Sequence, residues 1–506
     1  MKKILINHTP WQTRAAILDD GQLQDVYFDS ESVVDLERCF FKGKVSKIIP
    51  GLQTAFVDIN QEKAGFLHIS EVDRVLAAER IVESQQLEGI DGEEYTPRTV
   101  KKVMDIRKVF KEGEHVLVQV IKEPVYEKGA KLTTCFTLPG KFLVLMPNIP
   151  QIGVSKKIED RSERQRLREV VRNTLPKGMG AIVRTTSEYR PAHNIEKDIT
   201  FLLGLWETIQ EKFKTAESGE RLFQDIGLSE RIIREHLTDE VEEIITDSVA
   251  DKQVLMNFIQ QLMPEYSSKI RMYTGNQPLF EKYGVSRQVD NALQKKVQLP
   301  SGGSLIIETA EAMTVIDVNT GRYVGKNNLE ETILKTNLEA ATEIVTQLRL
   351  RNIGGLIVID FIDMSQAQHR QQLSAHLEKT LKEKDKFQSV TLKVSEFGLV
   401  QMTRKRSGKT LFQQLMRDCH CCTTLGYIPS FRTLSYEVFT NFSEQVKREA
   451  LKGPFVLCVS RDIFEYIVNN EHHALLSLSK YLNAKIILEL DEKLIEGEYR
   501  IAKQSS

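Results

Sequence analysis

At 506 residues the chain is long enough for several domains and a large buried core. Its 41% apolar and 27% charged residues are those of an ordinary soluble protein, and a formal net charge of −1 argues against a surface coated in basic side chains. Nucleic-acid contact would therefore have to come from local patches. No apolar run approaches the roughly eighteen residues of a membrane span. Lys2-Lys3 is followed only by Ile4-Leu5-Ile6 before Asn7 and His8, too short for a signal-peptide core. Six cysteines in this length make no disulfide framework, so the expected compartment is the cytoplasm.

Residues 1–38 alternate as strands around a turn at Asp19-Asp20-Gly21, too little for a domain, and are expected to pair with a later segment. From Phe40 the pattern changes to short strands with glycine turns, basic side chains and spaced aromatics: Gly43-Lys44-Val45, Gly51 to Asp58, and Gly65-Phe66-Leu67-His68. This suggests an OB-type barrel, in which Phe56 and Phe66 are either stacking platforms for unpaired bases or plain core residues. Residues 74–108 read as a charged helical insertion, and the barrel closes near Val116–Val120. A second β segment runs from Leu132 to Pro147, followed by Gly153–Lys157, a charged helix, and Gly180-Ala181-Ile182-Val183-Arg184-Thr185. Helical stretches such as Ser229–Ser248 come next.

The most informative stretch runs from Leu299 to Met364. Two apolar segments each carry an acid, Ala312 to Gly321 with Asp317 and Asn319, and Gly354 to Met364 with Asp360. Between them Leu334, Leu338, Ala341, Val345 and Leu348 recur at helical spacing, with Asn327 or Asn328 as cap and Gly354-Gly355 as terminator. The spacing predicts strand, helix, strand, and the run Gly355-Leu356-Ile357-Val358-Ile359 predicts a central strand covered on both faces. Asp317 and Asn319, two apart, share one face. Adding Asp360 from a neighbouring strand end gathers three oxygen-bearing side chains at one rim. That set suits a hard cation such as Mg²⁺, which takes one or two carboxylates and keeps water or phosphate elsewhere. A lone Asp would instead be read as closing a strand or capping a loop.

Met402 to Lys409 is a basic run, either a solvated loop or a phosphate-contacting edge. Cys419-His420-Cys421-Cys422 follows, in which Cys419 and Cys422 offer two thiolates at Cys-x-x-Cys spacing. A closed structural zinc site takes four ligands, so a second copy of the chain would have to complete it. Residues 428–506 read as a small α/β appendage, with a helix from Arg432 to Ala450, strands at Phe455–Ser460 and Ala484–Leu490, and helices near 462–482.

Taken together, Leu299-Pro-Ser-Gly-Gly-Ser304, Ile316-Asp-Val-Asn-Thr-Gly321, Thr336-Asn-Leu-Glu-Ala340, Gln347 to Asn352 and Gly355 to Met364 resemble the catalytic region of the ribonuclease E/G family. The resemblance covers nearly the whole chain. It lies on the ribonuclease G side, since no long disordered scaffold follows the catalytic part. It implies an α/β and β multidomain architecture: an RNase H-like structural domain from 1–38 plus 225–291, an S1 (OB-type) RNA-binding barrel at 39–133, and a 5′ sensor domain at 134–224. A DNase I-like α/β catalytic domain at 292–414, a zinc-link at 415–427 and a small C-terminal domain at 428–506 complete it. The implied activity is Mg²⁺-dependent, single-strand-specific endoribonuclease cleavage with a 5′-monophosphate preference, acting in rRNA precursor processing and mRNA decay. By the same resemblance Asp317, Asn319 and Asp360 are catalytic, with Asp317 and Asp360 on Mg²⁺. Phe56, Phe66 and Lys128 hold RNA. Arg184, Thr185, Gly140, Val144 and Lys156 form the 5′-phosphate pocket, Lys156 standing where the family often has arginine. Cys419 and Cys422 share a structural Zn²⁺ between protomers of a homodimer or dimer of dimers, although His420 and Thr424 depart from the family's Cys-Pro-x-Cys-x-Gly loop. The competing expectation is a non-catalytic RNA-binding scaffold on a degenerate nuclease core. The acid pair separates the two, because a pure binder has no use for carboxylates beside phosphate.

Overall fold

The computed structural model describes residues 1–30, 36–74, 77, 105–124, 129–320, 329–406, 408–418 and 427–502. It is a mixed α/β protein of several separate sheets, one of them closed into a barrel. The chain forms two compact units, one made of Met1–Ser32, Glu240–Lys252 and Lys269–Ser506, the other of Val33–Asp239 and Gln253–Ser268.

In the first unit, strands Lys2–His8, Gln12–Asp19 and Gln22–Ser30 form an antiparallel meander. Asp20 and Gly21 both have positive φ (49° and 78°), the geometry of the mirror-image hairpin turn that matches strand twist. The first strand also pairs in parallel with Val241–Thr246, which pairs in turn with Ile270–Met272. The expectation of helix across Ser229–Ser248 is corrected here: a helix spans Leu228–His236, and the chain then becomes a strand. Ile232, Ile233, Val241, Ile244 and Ile245 fit helical spacing on paper. The second group is the buried run of a parallel strand, and the open edge of the N-terminal meander decides the matter.

The second unit holds the barrel. Strands Phe40–Ile49, Thr54–Asp58, Gly65–His68, Lys131–Thr133 and His115–Lys122 follow one another round it, and Phe40–Lys44 closes it against His115–Gln119. Gly65 is required by packing, since a Cβ there would lie 2.6 Å from Leu132 Cδ1. Most of the expected insertion at 74–108 lies outside the described residues. Next comes a four-stranded sheet of Leu138–Pro139, Leu143–Met146, Ile152–Val154 and Gly180–Val183. The helices Arg161–Thr174 and Ala192–Thr215 cover it through Leu167, Val171, Ile195, Ile199 and Leu202.

Back in the first unit, a six-stranded sheet runs in the order Lys296–Gln298, Ser304–Thr309, Met313–Asn319, Gly355–Asp360, Leu399–Arg404, Ser389–Thr391. Strand Met313–Asn319, helix Leu329–Leu350 and parallel strand Gly355–Asp360 form the unit expected from the spacing. The cap assigned to Asn327 or Asn328 lies outside the described residues. Helices Leu329–Leu350 and Ala367–Lys384 bury one face of the sheet, with Ala341, Ile344, Val345, Leu373 and Leu377 packed on Ile316, Val318, Ile357, Ile359 and Val400. The expectation that the apolar strand is covered on both faces is not met. Burial alternates along it, and Val315 (40%), Leu356 (40%) and Leu399 (37%) are exposed on the opposite face. The reason is topological: only one neighbour of Gly355–Asp360 is parallel, and the described helices of this layer lie on one side.

The C-terminal part has a ribbon Met416–Asp418 with Tyr427–Pro429, a helix Phe431–Arg448, strands Phe455–Val459, Ile486–Leu490 and Tyr499–Ala502, and helices Arg461–Asn470 and His472–Tyr481. Trp11, from the N-terminal meander, is inserted edge-on against Phe439 and Tyr481 (centroids 5.9 and 6.3 Å) and belongs to this core.

Candidate active site

Asp317 and Asp360 stand directly opposite each other in the parallel register. Neighbouring strands lie about 4.8 Å apart, so the two carboxylates share one face of the sheet as near neighbours. It is the exposed face, opposite the helices. Asn319, two residues on from Asp317, joins them, its amide donating to Asp317 Oδ2 at 2.8 Å. Burial raises the Asp360 carboxyl above its ordinary range, and the negative charges of Asp317 and Asp363 push in the same direction. The three residues named from the sequence are thus brought together, and Asp363 is an acid that sequence reasoning passed over.

The backbone carrying these acids is held from two sides. Asn337, fully buried in the long helix, accepts from Ile362 N–H (3.1 Å) and donates to Ile362 C=O (2.8 Å), so one side chain clamps the residue between Asp360 and Asp363. On the other side Phe361 N–H donates to Gly398 O (3.2 Å). Gly398 has φ +74°, and a Cβ there would meet Phe361 O at 2.4 Å, so only glycine fits. The Leu299–Gly303 loop is tied to the same helix by Ser301 N–H to Glu339 Oε1 (3.0 Å), and Gly303 lets it approach Asn319 O. Among the described residues no group of three or more His, Cys, Asp or Glu side chains is arranged to hold a metal ion. The candidate cation ligands there are two carboxylates and an amide.

In the second unit Phe56 and Phe66 are an opposed cross-strand pair. They alternate with the barrel-core residues Ala55, Val57 and Leu67, and both are half-buried, so they lie outside the barrel core. Lys128 lies outside the described residues. Arg184 follows strand Gly180–Val183, with its N–H on Phe142 O and its guanidinium on Gly140 O, both at 2.8 Å. Thr185, exposed, begins the next turn, and Val144 pairs with Ile182 on the adjacent strand. Lys156 is exposed beside Ser155, whose N–H bonds Val183 O. Two residues missed from the sequence organise this cradle. Asp198, buried, accepts from the backbone N–H groups of Lys141, Phe142 and Leu143 (3.2, 2.8 and 3.3 Å), and any Cβ on Gly140 would lie 2.4 Å from its carboxylate. Lys141 is buried with its ammonium on Leu237 O, and burial, reinforced by Arg184 and Arg190, pulls it down to about 7. Neither had a sequence signal, since a lone Asp in an amphipathic helix and a Lys beside a glycine are ordinary.

Of the basic run, Arg404 is withdrawn from solvent: it forms a buried bidentate pair with Asp385 (2.8 and 2.9 Å) and a third bond to Ile353 O (2.6 Å). It is a structural residue, and neither a solvated loop nor a phosphate edge describes it. Cys419, His420, Cys421, Cys422 and Thr424 lie outside the described residues.

Comparison with known proteins follows the same lines. A model of the ribonuclease E/G family matches residues 137–407. The chain is 36% identical to ribonuclease G of Escherichia coli (strain K12) over 97% of each chain. It is 38% identical to ribonuclease G of Haemophilus influenzae over 94% of this chain and 93% of that protein. To ribonuclease E of E. coli it is 35% identical over 94% of this chain but 43% of that longer protein. The chain belongs to the ribonuclease E/G family.

The clamp on Ile362 makes a local prediction. Asn337→Ala leaves an N–H and a C=O without their partner, so hydrogen exchange over 360–364 should quicken by about 5- to 150-fold, from a loss of about 1–3 kcal/mol. Unchanged exchange there would show that Asn337 does not hold this segment.

Proposed function

We propose that this protein is a Mg²⁺-dependent endoribonuclease that cuts single-stranded RNA and leaves 5′-phosphate and 3′-hydroxyl ends. The observation that carries the reading is the Asp317–Asp360 pair, two carboxylates in register on an exposed sheet face with Asn319 beside them. The raised Asp360 carboxyl supports it, because a site built to hold two like charges together is relieved by a cation. Asp317 and Asp360 would hold the ion, which when bound supplies positive charge against the scissile phosphate and acidifies water. Asn319 keeps Asp317 oriented and presents an amide to the scissile phosphate. The Asn337 clamp keeps Asp360 from drifting away from Asp317.

Substrate is held elsewhere on the chain. Phe56 and Phe66 stack unpaired bases, with Lys128 on the backbone, in a barrel of the S1 type spanning 39–133. Arg184 and Thr185, with Gly140, Val144 and Lys156, take a 5′-monophosphate in a 5′ sensor domain at 134–224, and the planar guanidinium favours bidentate phosphate contact. The remaining divisions are an RNase H-like domain (1–38 plus 225–291), a DNase I-like catalytic domain (292–414), a zinc-link (415–427) and a small C-terminal domain (428–506). Processing of rRNA precursors and decay of mRNA in the cytoplasm are the roles this reading implies. Cys419 and Cys422 from each of two chains would complete one structural zinc site and so link metal to dimer, with pairing of dimers as a further step.

Three outcomes test the reading. Asp317→Asn or Asp360→Asn should lower single-turnover cleavage by several orders of magnitude while RNA affinity stays near wild type, since amides are poor Mg²⁺ ligands. Near-normal cleavage in both variants would remove the two-carboxylate mechanism. A 5′-monophosphorylated RNA should be cut faster than its 5′-hydroxyl counterpart, and Arg184→Ala should erase that difference while sparing the slower reaction. A variant that still prefers the monophosphate would move the sensor elsewhere. Metal analysis should find about half a zinc per protomer, lost together with the dimer in Cys419→Ser or Cys422→Ser. One full zinc per chain would refute sharing.

A further inference from the structure

Phe397 is 76% exposed, more than any other large apolar side chain among the described residues. A single exposed apolar side chain is ordinary on a protein surface, so Phe397 is of interest for where it sits. It sits at the tip of the hairpin joining strands Ser389–Thr391 and Leu399–Arg404. That tip is held closely. Gly398 N–H donates to Ser395 O (3.2 Å), Ser395 N–H to Leu399 O (2.9 Å), and Leu399 N–H to Ser395 Oγ (3.0 Å). Val394, just before the turn, packs into the core beneath the sheet.

The hairpin is also fastened to the acids. Gly398 O takes the Phe361 N–H, one residue past Asp360, and a Cβ on Gly398 would stand 3.4 Å from Asp363 Oδ1. Leu399 is the register partner of Asp360. Two peptide steps from Leu399 to Phe397 cover at most about 7.6 Å. Phe397 is therefore carried on the turn next to the strand end that bears Asp360, and Gly398 ties that turn to the residue after Asp360. Leu392 (58%) and Leu399 (37%), one on each side of the same turn, are exposed as well.

We propose that Phe397 is a base-stacking subsite for the nucleotide adjacent to the scissile phosphate, a site separate from the Phe56–Phe66 pair and from the 5′-phosphate cradle. This rests on the endoribonuclease reading. The occupant follows from chemistry at the two ends of the contact. An unpaired nucleotide presents an apolar π-face for the ring and, on the same residue, a phosphate for the cation-loaded acids. Asp360 and Asp363, on the segment that Gly398 adjoins, and Glu396, next in sequence to Phe397, disfavour a bare acidic partner, whereas a cation bound between acids and phosphate makes a nucleotide compatible with them. A single well-anchored ring supplies stacking without base identity, so the subsite enforces that the base be unpaired and leaves its identity open. A paired base is already stacked within its helix, which gives a local reason for single-strand specificity at the cut itself.

The test uses the full-length chain and a short single-stranded RNA carrying 2-aminopurine at each position in turn. With Mg²⁺ present and the scissile linkage of the RNA replaced by a non-hydrolysable phosphonate, binding to the parent enzyme is read without cleavage. One position next to the scissile bond should be quenched on binding, and adding Phe397→Ala should abolish quenching there and nowhere else. In the otherwise unaltered enzyme Phe397→Ala should lower kcat/KM by about 5- to 100-fold, with the Mg²⁺ concentration for half-maximal rate unchanged. Phe397→Trp should restore the rate and Phe397→Leu should not. An abasic residue at the quenched position should cost the parent enzyme the same factor and cost Phe397→Ala nothing further. Quenching unaffected by Phe397→Ala, or full rescue by Phe397→Leu, would overturn the proposal. So would dissociation of the oligomer in light scattering on Phe397→Ala, which would give the face to a second copy. A parent chain that fails to cut RNA at all would instead remove the endoribonuclease reading, while the quenching scan would still report whether a base sits on Phe397.

Discussion

The placement of the Asp317 and Asp360 carboxylates side by side on adjacent strands is the constraint on which the rest of the six-stranded layer depends. Partial desolvation raises the Asp360 carboxyl above its ordinary range, and the Asp317 charge in parallel register on the adjacent strand pushes it the same way. The surrounding backbone fixes where the two acids stand. Here the strand after Asp360 is clamped by Asn337 from the helix side and by Gly398 from the hairpin side. The neighbouring strand Leu399–Arg404 is itself secured by the buried Arg404–Asp385 pair, a contact of two hydrogen bonds whose loss would leave a charge stranded in the core. What looks like a set of unrelated packing details converges on one distance, that between two carboxylates.

The same logic recurs in the second unit with opposite charge. Arg184 is held against Gly140 O, while Lys141 is buried beside it and depressed toward neutrality. Asp198 offsets this concentration of positive groups and gathers three backbone N–H groups of the 141–143 turn. Gly140 has no Cβ because that carboxylate occupies the space one would need.

How much of this was legible in the sequence depends on the range of the interaction. Local periodicity revealed the strand–helix–strand unit, and the spacing of Asp317, Asn319 and Asp360 sufficed to place them at one rim, because strand alternation is a local rule. Local rules failed at Ser229–Ser248, where apolar residues at helical spacing turned into a strand because an open sheet edge was available 240 residues earlier in the chain, as the pairing of Ile4 with Ile244 records (244 − 4 = 240). They also failed for the face of Gly355–Asp360. An apolar run implies two covers, whereas the observed sheet leaves Leu356 and Leu399 exposed beside the acids. Asn337, Asp198 and Gly398 were unreadable for a related reason: each acts on a backbone segment far away in sequence, and nothing about a buried Asn in a helix announces which loop it holds. The exposed Phe397 is of the same kind, since a phenylalanine in a hairpin reads as core until its burial is seen.

The acid pair has its proposed role only if it binds one divalent cation. Mn²⁺ titration followed by electron paramagnetic resonance reads this directly on the intact chain, without RNA and without turnover. A saturable site of one Mn²⁺ per chain is expected, displaced by Mg²⁺ and lost in both Asp317→Asn and Asp360→Asn. Binding that is unchanged in those two variants would contradict that role.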